Sequence, residues 1–572
     1  MTDFLRASLT VTLYSDGERF DLVVGQTSFF DAFYADCSLE MGSTFRRLRL
    51  MLHPKRALRI DRLEVSQAMH YAPTDRLLAN GFQSWSETRT YAPGERVPRL
   101  RALARPFVGY SGDEHIPTVP RGPGQLHSWT YTTRRVAADN YQLAGSLDER
   151  SAFTCCVYDV PAGQLRLLAD VAGLTLEHSF PALDLYWTVG SETQVYDRYF
   201  AARARAVAPG VPTLGWTSWY RHYTGVSATI VRDNLAQWSA AALPPGVFQI
   251  DDGWQARIGD WLDFDAAFPD GVAPLARDIR TAGHRPGLWL APFICEAKSK
   301  LFRQHPDWCL RNPQGNPLRV AYNPGWSGWF YALDIYHPAV RDYLTAVFVT
   351  AVERWGFTLL KLDFLYAACL VPPPGKTRGQ VMHDALVLLR ELCGPADLLG
   401  CGVPLGSAFG QLAYCRTGAD IHLRWEHRGL AFARHRERVS TLVALRTVLH
   451  RHPLDGRAFA ADPDVYLLRS DGHHLSDTQQ YTILLVNALC GRLLFTSDGV
   501  GEYNAEQESE LAELQYWASA RVTALEELRS DVFRLSVERA GQRYTAFVNL
   551  TSQRQAVPGV ELLGYESLVL GG

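Results

Sequence analysis

The chain has 572 residues, 47% hydrophobic and 20% charged, with a formal net charge of -3. That length exceeds what one hydrophobic core organises, so two or three domains are expected. The near-neutral balance and the lack of a basic run argue against nucleic acid as a partner.

The N-terminus, MTDFLRASLTVTLYSDG, lacks a positive segment followed by an apolar one, so no signal peptide is read. No apolar stretch is long enough to cross a bilayer, and a cytoplasmic protein without a membrane partner is expected. Residues 1–195 read as an N-terminal β-sandwich. Leu9, Val11 and Leu13 alternate with Thr10 and Thr12, FRRLRLML alternates likewise, and Pro/Gly/Asp turns separate the short strands. Adjacent Cys155 and Cys156 sit within this region. With ten cysteines and no CxxC pair, the pattern suits reduced cytosolic thiols more than a disulfide framework.

Near residue 196 the pattern changes. YDRYFAARARAV reads as a connecting helix, and VPTLGWTSWY opens a region in which apolar runs alternate with helical stretches. VFQID (247–251), GLWLAPF (287–293), FTLLKLD (357–363), LLGCGVP (398–404), AYCRTGAD (413–420), AFAADPD (458–464) and GRLLFTSD (491–498) are the successive strand candidates. AVRDYLTAVFVTAVERWG and VMHDALVLLRELCG are helices between them. Eight such steps fit a (β/α)8 TIM barrel over residues 196–528 better than an open doubly wound sheet. No GxGxxG follows a strand, so a dinucleotide cofactor is not expected. After a helical stretch over about 503–529, alternation returns and residues 529–572 read as a small C-terminal β domain. The whole is a multidomain α/β protein.

Barrel chemistry sits at the C-terminal ends of strands, and polar residues fall there: Asp251, Asp252, Trp289, Lys361, Asp363, Cys401, Arg416, Asp420, Asp462, Asp464 and Asp498. Lys361 and Asp363 share a strand face and point into the barrel mouth, which explains two charges inside an apolar run. Each feature has a plain structural reading: a closing ion pair for Lys361 and Asp363, an Asx turn at Asp251-Asp252-Gly253, a helix cap for Asp420. Their convergence favours a site. Two carboxylates across one pocket, with no metal or nucleotide motif, are the minimal equipment for glycoside hydrolysis. HRHP (450–453) and GHH (472–474) lack further ligands at metal spacing, so neither metal nor other cofactor is expected.

GWTSWY, FQIDDGW, IGDW, GLWLAPF, HPDW, YALD, KLDFLYA, LGCGVPL, CRTGAD with Trp425 after it, and DPDVYLLR form an ordered set from about 211 to 470. This set, with NGFQSWS at 80–86, resembles the melibiase-type α-galactosidases of glycoside hydrolase family 36, and looks most like their compact bacterial members. The resemblance implies Asp363 as nucleophile and Asp420 as acid/base. It also implies that Asp251 and Asp252 take sugar hydroxyls, and that Lys361 and Arg416 bind hydroxyls and help keep Asp363 ionised. Trp219 and Trp289 would wall the pocket, with Cys401 and Gly402 beside it and Trp85 reaching in from the sandwich. Because a cation on Asp420 would hold the acid ionised, Arg416 is expected to face the sugar or Asp363. The implied activity is retaining, exo-acting release of α-linked galactose from small oligosaccharides such as melibiose and raffinose. CGVPLGSAFGQLAYC stands where larger members carry a CSGGG-like stretch, which bears on selectivity at the sugar's 2-position. Four other readings follow: a galactosyl transferase of raffinose-synthase type, an α-N-acetylgalactosaminidase, a non-catalytic carbohydrate-binding protein, and a metal-dependent barrel hydrolase.

Overall fold

A computed structural model describes residues 2–120, 122–203 and 211–571. In the N-terminal region, six strands form one antiparallel sheet and eight form a second. Strand Phe45–Pro54 shows why: Leu48, Leu50 and Leu52 are buried while alternate residues face outward. Arg46 continues the buried row. Its guanidinium donates to the carbonyls of Leu5 and Ala7 and to Gln67, so the charge is hydrogen-bonded where it lies.

The barrel strands are Thr213–Thr217, Val247–Ile250, Arg285–Leu290, Leu359–Leu362, Asp397–Gly400, Tyr414–Arg416, Ala460–Asp462 with Val465–Tyr466, and Leu493–Thr496. All pair in parallel, in chain order, and the last pairs with the first. The seventh strand is broken. Ala460–Asp462 pairs with the sixth and Val465–Tyr466 with the eighth. The break falls at Pro463, which cannot donate a ladder hydrogen bond, and at Asp464, whose φ is 81°. The interruption aims the Asp464 side chain into the barrel mouth, where it meets Arg416.

Between the third strand and helix Pro338–Val349 lies a small three-stranded sheet, Ile294–Glu296, Gly328–Ala332 and Arg319–Asn323. At the other end, helix Ala505–Ala518 precedes the C-terminal sheet of Arg521–Arg529, Val532–Arg539, Gln542–Asn549 and Ser567–Gly571. This moves the C-terminal β region forward from the expected 529. TALEELR has helix-forming residues, but pairing with Val532–Arg539 across a turn with Asp531 at φ 63° makes it a strand.

Two arginines of helix Thr441–Arg451 join the three regions. Arg451, fully buried, donates to the carbonyls of Gly81, Gln83, Ser84 and Thr417. Arg446 binds Glu87 of the N-terminal region and Asp531 of the C-terminal sheet. Together they hold the loop Asn80–Thr88 against the barrel mouth. Among the described residues no helix is long and apolar enough to cross a membrane, and the ten cysteines are buried and free.

Candidate active site

Asp251 follows the second strand by one residue. It accepts from Lys361 Nζ at 2.9 Å and from Gln249 Nε2 at 2.5 Å, and Thr217 Oγ1 lies 3.4 Å away. Lys361 therefore neutralises Asp251, and its field also draws the Asp363 pKa down, in the direction that helps keep Asp363 ionised. The reason is geometric: the second and fourth strands flank the third, and the long Lys361 side chain reaches across it to the second strand's end. Burial opposes the Lys361 charge, but Asp251 outweighs it and the ammonium is held.

Asp252 turns the other way. Gln255 Nε2 donates to it at 2.6 Å and Trp326 Nε1 at 2.8 Å. Gly253, at φ 122°, lets the chain pass Thr224, where a Cβ would come within 2.8 Å of backbone. Burial raises the Asp252 carboxyl to about 6, against the Trp326 and Gln255 donors and with help from Asp251 and Asp363. Trp326 arrives on the inserted sheet. Its signal, a tryptophan after a Pro-Gly turn in NPGWSGW, is visible in the sequence but points nowhere without the fold.

Asp363 ends the fourth strand. Trp289 Nε1 donates to one oxygen at 3.0 Å, and the Phe364 amide to the other at 2.9 Å. Phe364 sits at φ 54°, an uncommon conformation that swings its ring against Trp85, Trp326 and Phe330. Burial pushes the Asp363 pKa up, Lys361 draws it down, Asp420 pushes it up, and the Trp289 and Cys401 hydrogen bonds draw it down. Cys401 is itself held as a thiol, since burial and then Asp363 raise its pKa well above normal. It is a donor toward Asp363 and accepts from Trp85 Nε1 at 3.1 Å. Gly402 has φ 59°, and a Cβ there would stand 3.0 Å from the Trp85 ring. Trp85 thus lies over the strand-five loop and edge-on to Phe364. Trp219, half-buried after the first strand, packs edge-on against Tyr223.

Arg416 departs from expectation. It faces neither Asp363 nor open pocket, but three carboxylates: Asp420 at 2.8 Å, Asp462 at 3.1 Å and Asp464 at 3.1 Å. Asp462 stands directly opposite Arg416 in the strand register, and the break after it turns Asp464 back onto the same guanidinium. Asp464 also accepts from Tyr220 and from the Ile421 amide at 2.9 Å. Burial raises Asp464 to about 7 despite Arg416, with Asp420 and Asp462 adding to the rise. Three carboxylates compete for one cation, so this cluster can keep a proton near neutral pH. Asp420, at 35% side-chain exposure, is the member that reaches the open mouth.

Asp498 does not join the site; it is fully buried against Arg469. His450 and His452 donate to the carbonyls of Arg446 and Leu449, and no group of three or more metal-ligating side chains occurs among the described residues.

Residues 215–376 match the Melibiase family model, a span that includes Asp251, Asp252, Trp289, Lys361 and Asp363. Alpha-galactosidase 2 of Pediococcus pentosaceus is 28% identical over 183 residues, 29% of this chain and 24% of the relative. The Escherichia coli alpha-galactosidase is 32% identical over 173 residues, 28% of this chain and 23% of the relative. The chain thus aligns with about a quarter of the length of these relatives. Among solved structures, TtGalA, the alpha-galactosidase from Thermus thermophilus in complex with p-nitrophenyl α-D-galactopyranoside, has a TM-score of 0.70 and 28% identity, covering 93% of this chain and 98% of that one. The alpha-galactosidase AgaA from Geobacillus stearothermophilus shares the fold at TM-score 0.60 and 13% identity, covering 97% of this chain and 80% of that one.

Proposed function

The chain belongs to the melibiase-type α-galactosidases of glycoside hydrolase family 36, and on that premise we propose that it hydrolyses terminal α-linked galactose from small oligosaccharides with retention. The observation that carries this reading is the unequal pair of carboxylates. Asp363 is buried and hydrogen-bonded through both oxygens. Asp420 is open to the mouth and shares the Arg416 guanidinium with Asp464, whose carboxyl is raised to about 7.

Asp363 attacks the anomeric carbon while Asp420 protonates the departing glycosidic oxygen. A β-linked galactosyl-enzyme forms, and water attacks it with Asp420 acting as base. For the first step the Arg416–Asp420 contact must loosen and the cluster's proton must sit on Asp420. Asp462 and Asp464 favour this by holding the guanidinium from the other side. Asp251 and Asp252, each with donors that fix its orientation, accept sugar hydroxyls. The stachyose complex of the Thermus thermophilus protein supports an oligosaccharide as substrate.

The test uses raffinose and proton NMR. The first galactose released should be the α-anomer, and Asp363→Gly with azide should yield β-galactosyl azide. Initial β-galactose, or an α-azide product, would overturn the proposal.

A further inference from the structure

A second cavity, of about 740 Å³, is lined in part by Glu87 of the Asn80–Thr88 loop and does not include Asp363 in its lining. It lies between residues 96–120 and 122–127 of the N-terminal region and the barrel loop 431–438. Eight arginines line it against three carboxylates, in a protein whose net charge is -3. These carboxylates are already committed, and Glu114 accepts from the Leu100 amide. Asp113 holds the buried Arg436, and Glu87 holds the buried Arg446. Arg438 is taken by Glu426 at 2.8 Å.

Of the other five, Arg89 is half-buried and lies over the Tyr91 ring, which leaves Arg96, Arg99, Arg105 and Arg434. All four are exposed, line the cavity and form no ion pair with any described residue. Arg96, Arg99 and Arg105 come from one arginine-rich stretch of the N-terminal region, and the fold brings Arg434 of the barrel loop to the same cavity. Like charges gathered in a concavity repel one another, and the low-dielectric walls strengthen the field inside. The guanidinium fork matches the paired oxygens of phosphate and carboxylate. The buried pairs Arg436–Asp113 and Arg446–Glu87 form a hydrogen-bonded floor, with Arg446 also bound to Asp531, which leaves the unpaired arginines as the rim.

We propose that this cavity is a binding site for a small polyanion, a molecule carrying two or more phosphate or carboxylate groups, separate from the galactoside pocket. A neutral sugar brings no negative charge to offset four like-charged guanidinium groups. A monoanion engages at most one or two of them. The site therefore discriminates by charge number and spacing.

The experiment is titration calorimetry of the full chain with inorganic pyrophosphate and, separately, with citrate at low ionic strength. Arg99→Gln/Arg434→Gln is the comparison protein. These side chains are exposed and outside the galactoside site, so melting temperature without ligand and turnover of an aryl α-galactoside should be unchanged. One molecule should bind per chain, and the double variant should bind about tenfold or more weakly, from the loss of charge-assisted hydrogen bonds. Affinity should also fall as salt rises. Pyrophosphate binding alone would mark the ligand as phosphorylated, and citrate binding alone as a polycarboxylate. No saturable binding of either probe, or equal binding by the double variant, would overturn the proposal.

Discussion

Trp289→Phe isolates one hydrogen bond to the buried nucleophile. The indole N–H donates to Asp363 at 3.0 Å, and phenylalanine keeps an aromatic ring without the donor. A hydrogen bond to a charged group is worth about 1.5–3 kcal/mol, and one pKa unit corresponds to about 1.4 kcal/mol. Asp363 keeps the Phe364 amide, the Cys401 thiol and the Lys361 field, so the lower end applies and its pKa should rise by about one unit. The missing donor stabilised the anion, so at a given pH less Asp363 is ionised. The acidic limb of the kcat/KM profile on an aryl α-galactoside should therefore move to higher pH by about one unit. Stability gives a second check of the sign. The Asp363 pKa is already raised in the folded protein, and the substitution raises it further. The stability lost relative to wild type should grow as pH climbs through that range. The smaller ring should lower melting temperature at every pH by a cavity cost of about 1–3 kcal/mol, but a cavity cannot move a pH limb. A uniform loss of activity with the limb in place would refute the assignment of Trp289 as the donor that sets Asp363.

Asp420→Ala should lose orders of magnitude on melibiose, whose leaving group needs a proton. It should lose far less in the first step with a dinitrophenyl galactoside, where a phenol burst should appear; equal losses without a burst would return Asp420 to a structural role. Trp326→Phe removes a donor from Asp252, whose pKa of about 6 should then move up. KM should rise at mildly acidic pH with little change at alkaline pH, and a pH-independent rise would count against it. Arg446→Gln leaves Glu87 buried without its partner and unties Asp531. Urea unfolding should show a loss of about 3–5 kcal/mol, and a loss below about 1 kcal/mol would mean the seam holds without it.

Much of this molecule is legible from residue order. Strand and helix periods pointed to a barrel over 196–528, within which the barrel strands run from Thr213 to Thr496, because a buried parallel strand must be apolar and the interruptions at its end must have a use. Lys361 and Asp363 inside FTLLKLDF are such interruptions, and their spacing placed them on one face. The alternation in FRRLRLML likewise implied its sheet. Partnership was not legible. Lys361 chose Asp251, 110 positions away in the chain, because strands two and four deliver the two side chains to one level. Arg416 chose Asp462 and Asp464 because the seventh strand breaks at Pro463 and folds a second carboxylate back across it. Trp326, on an inserted sheet, met Asp252 only once that sheet folded over the mouth. TALEELR became a strand because a neighbouring strand supplied its hydrogen bonds. Local pattern fixes what a segment can be, since it depends on nearby residues and the period of the backbone. Which charge meets which depends on distances set by the closed barrel and its flanking sheets, and those exist only when the whole chain is folded.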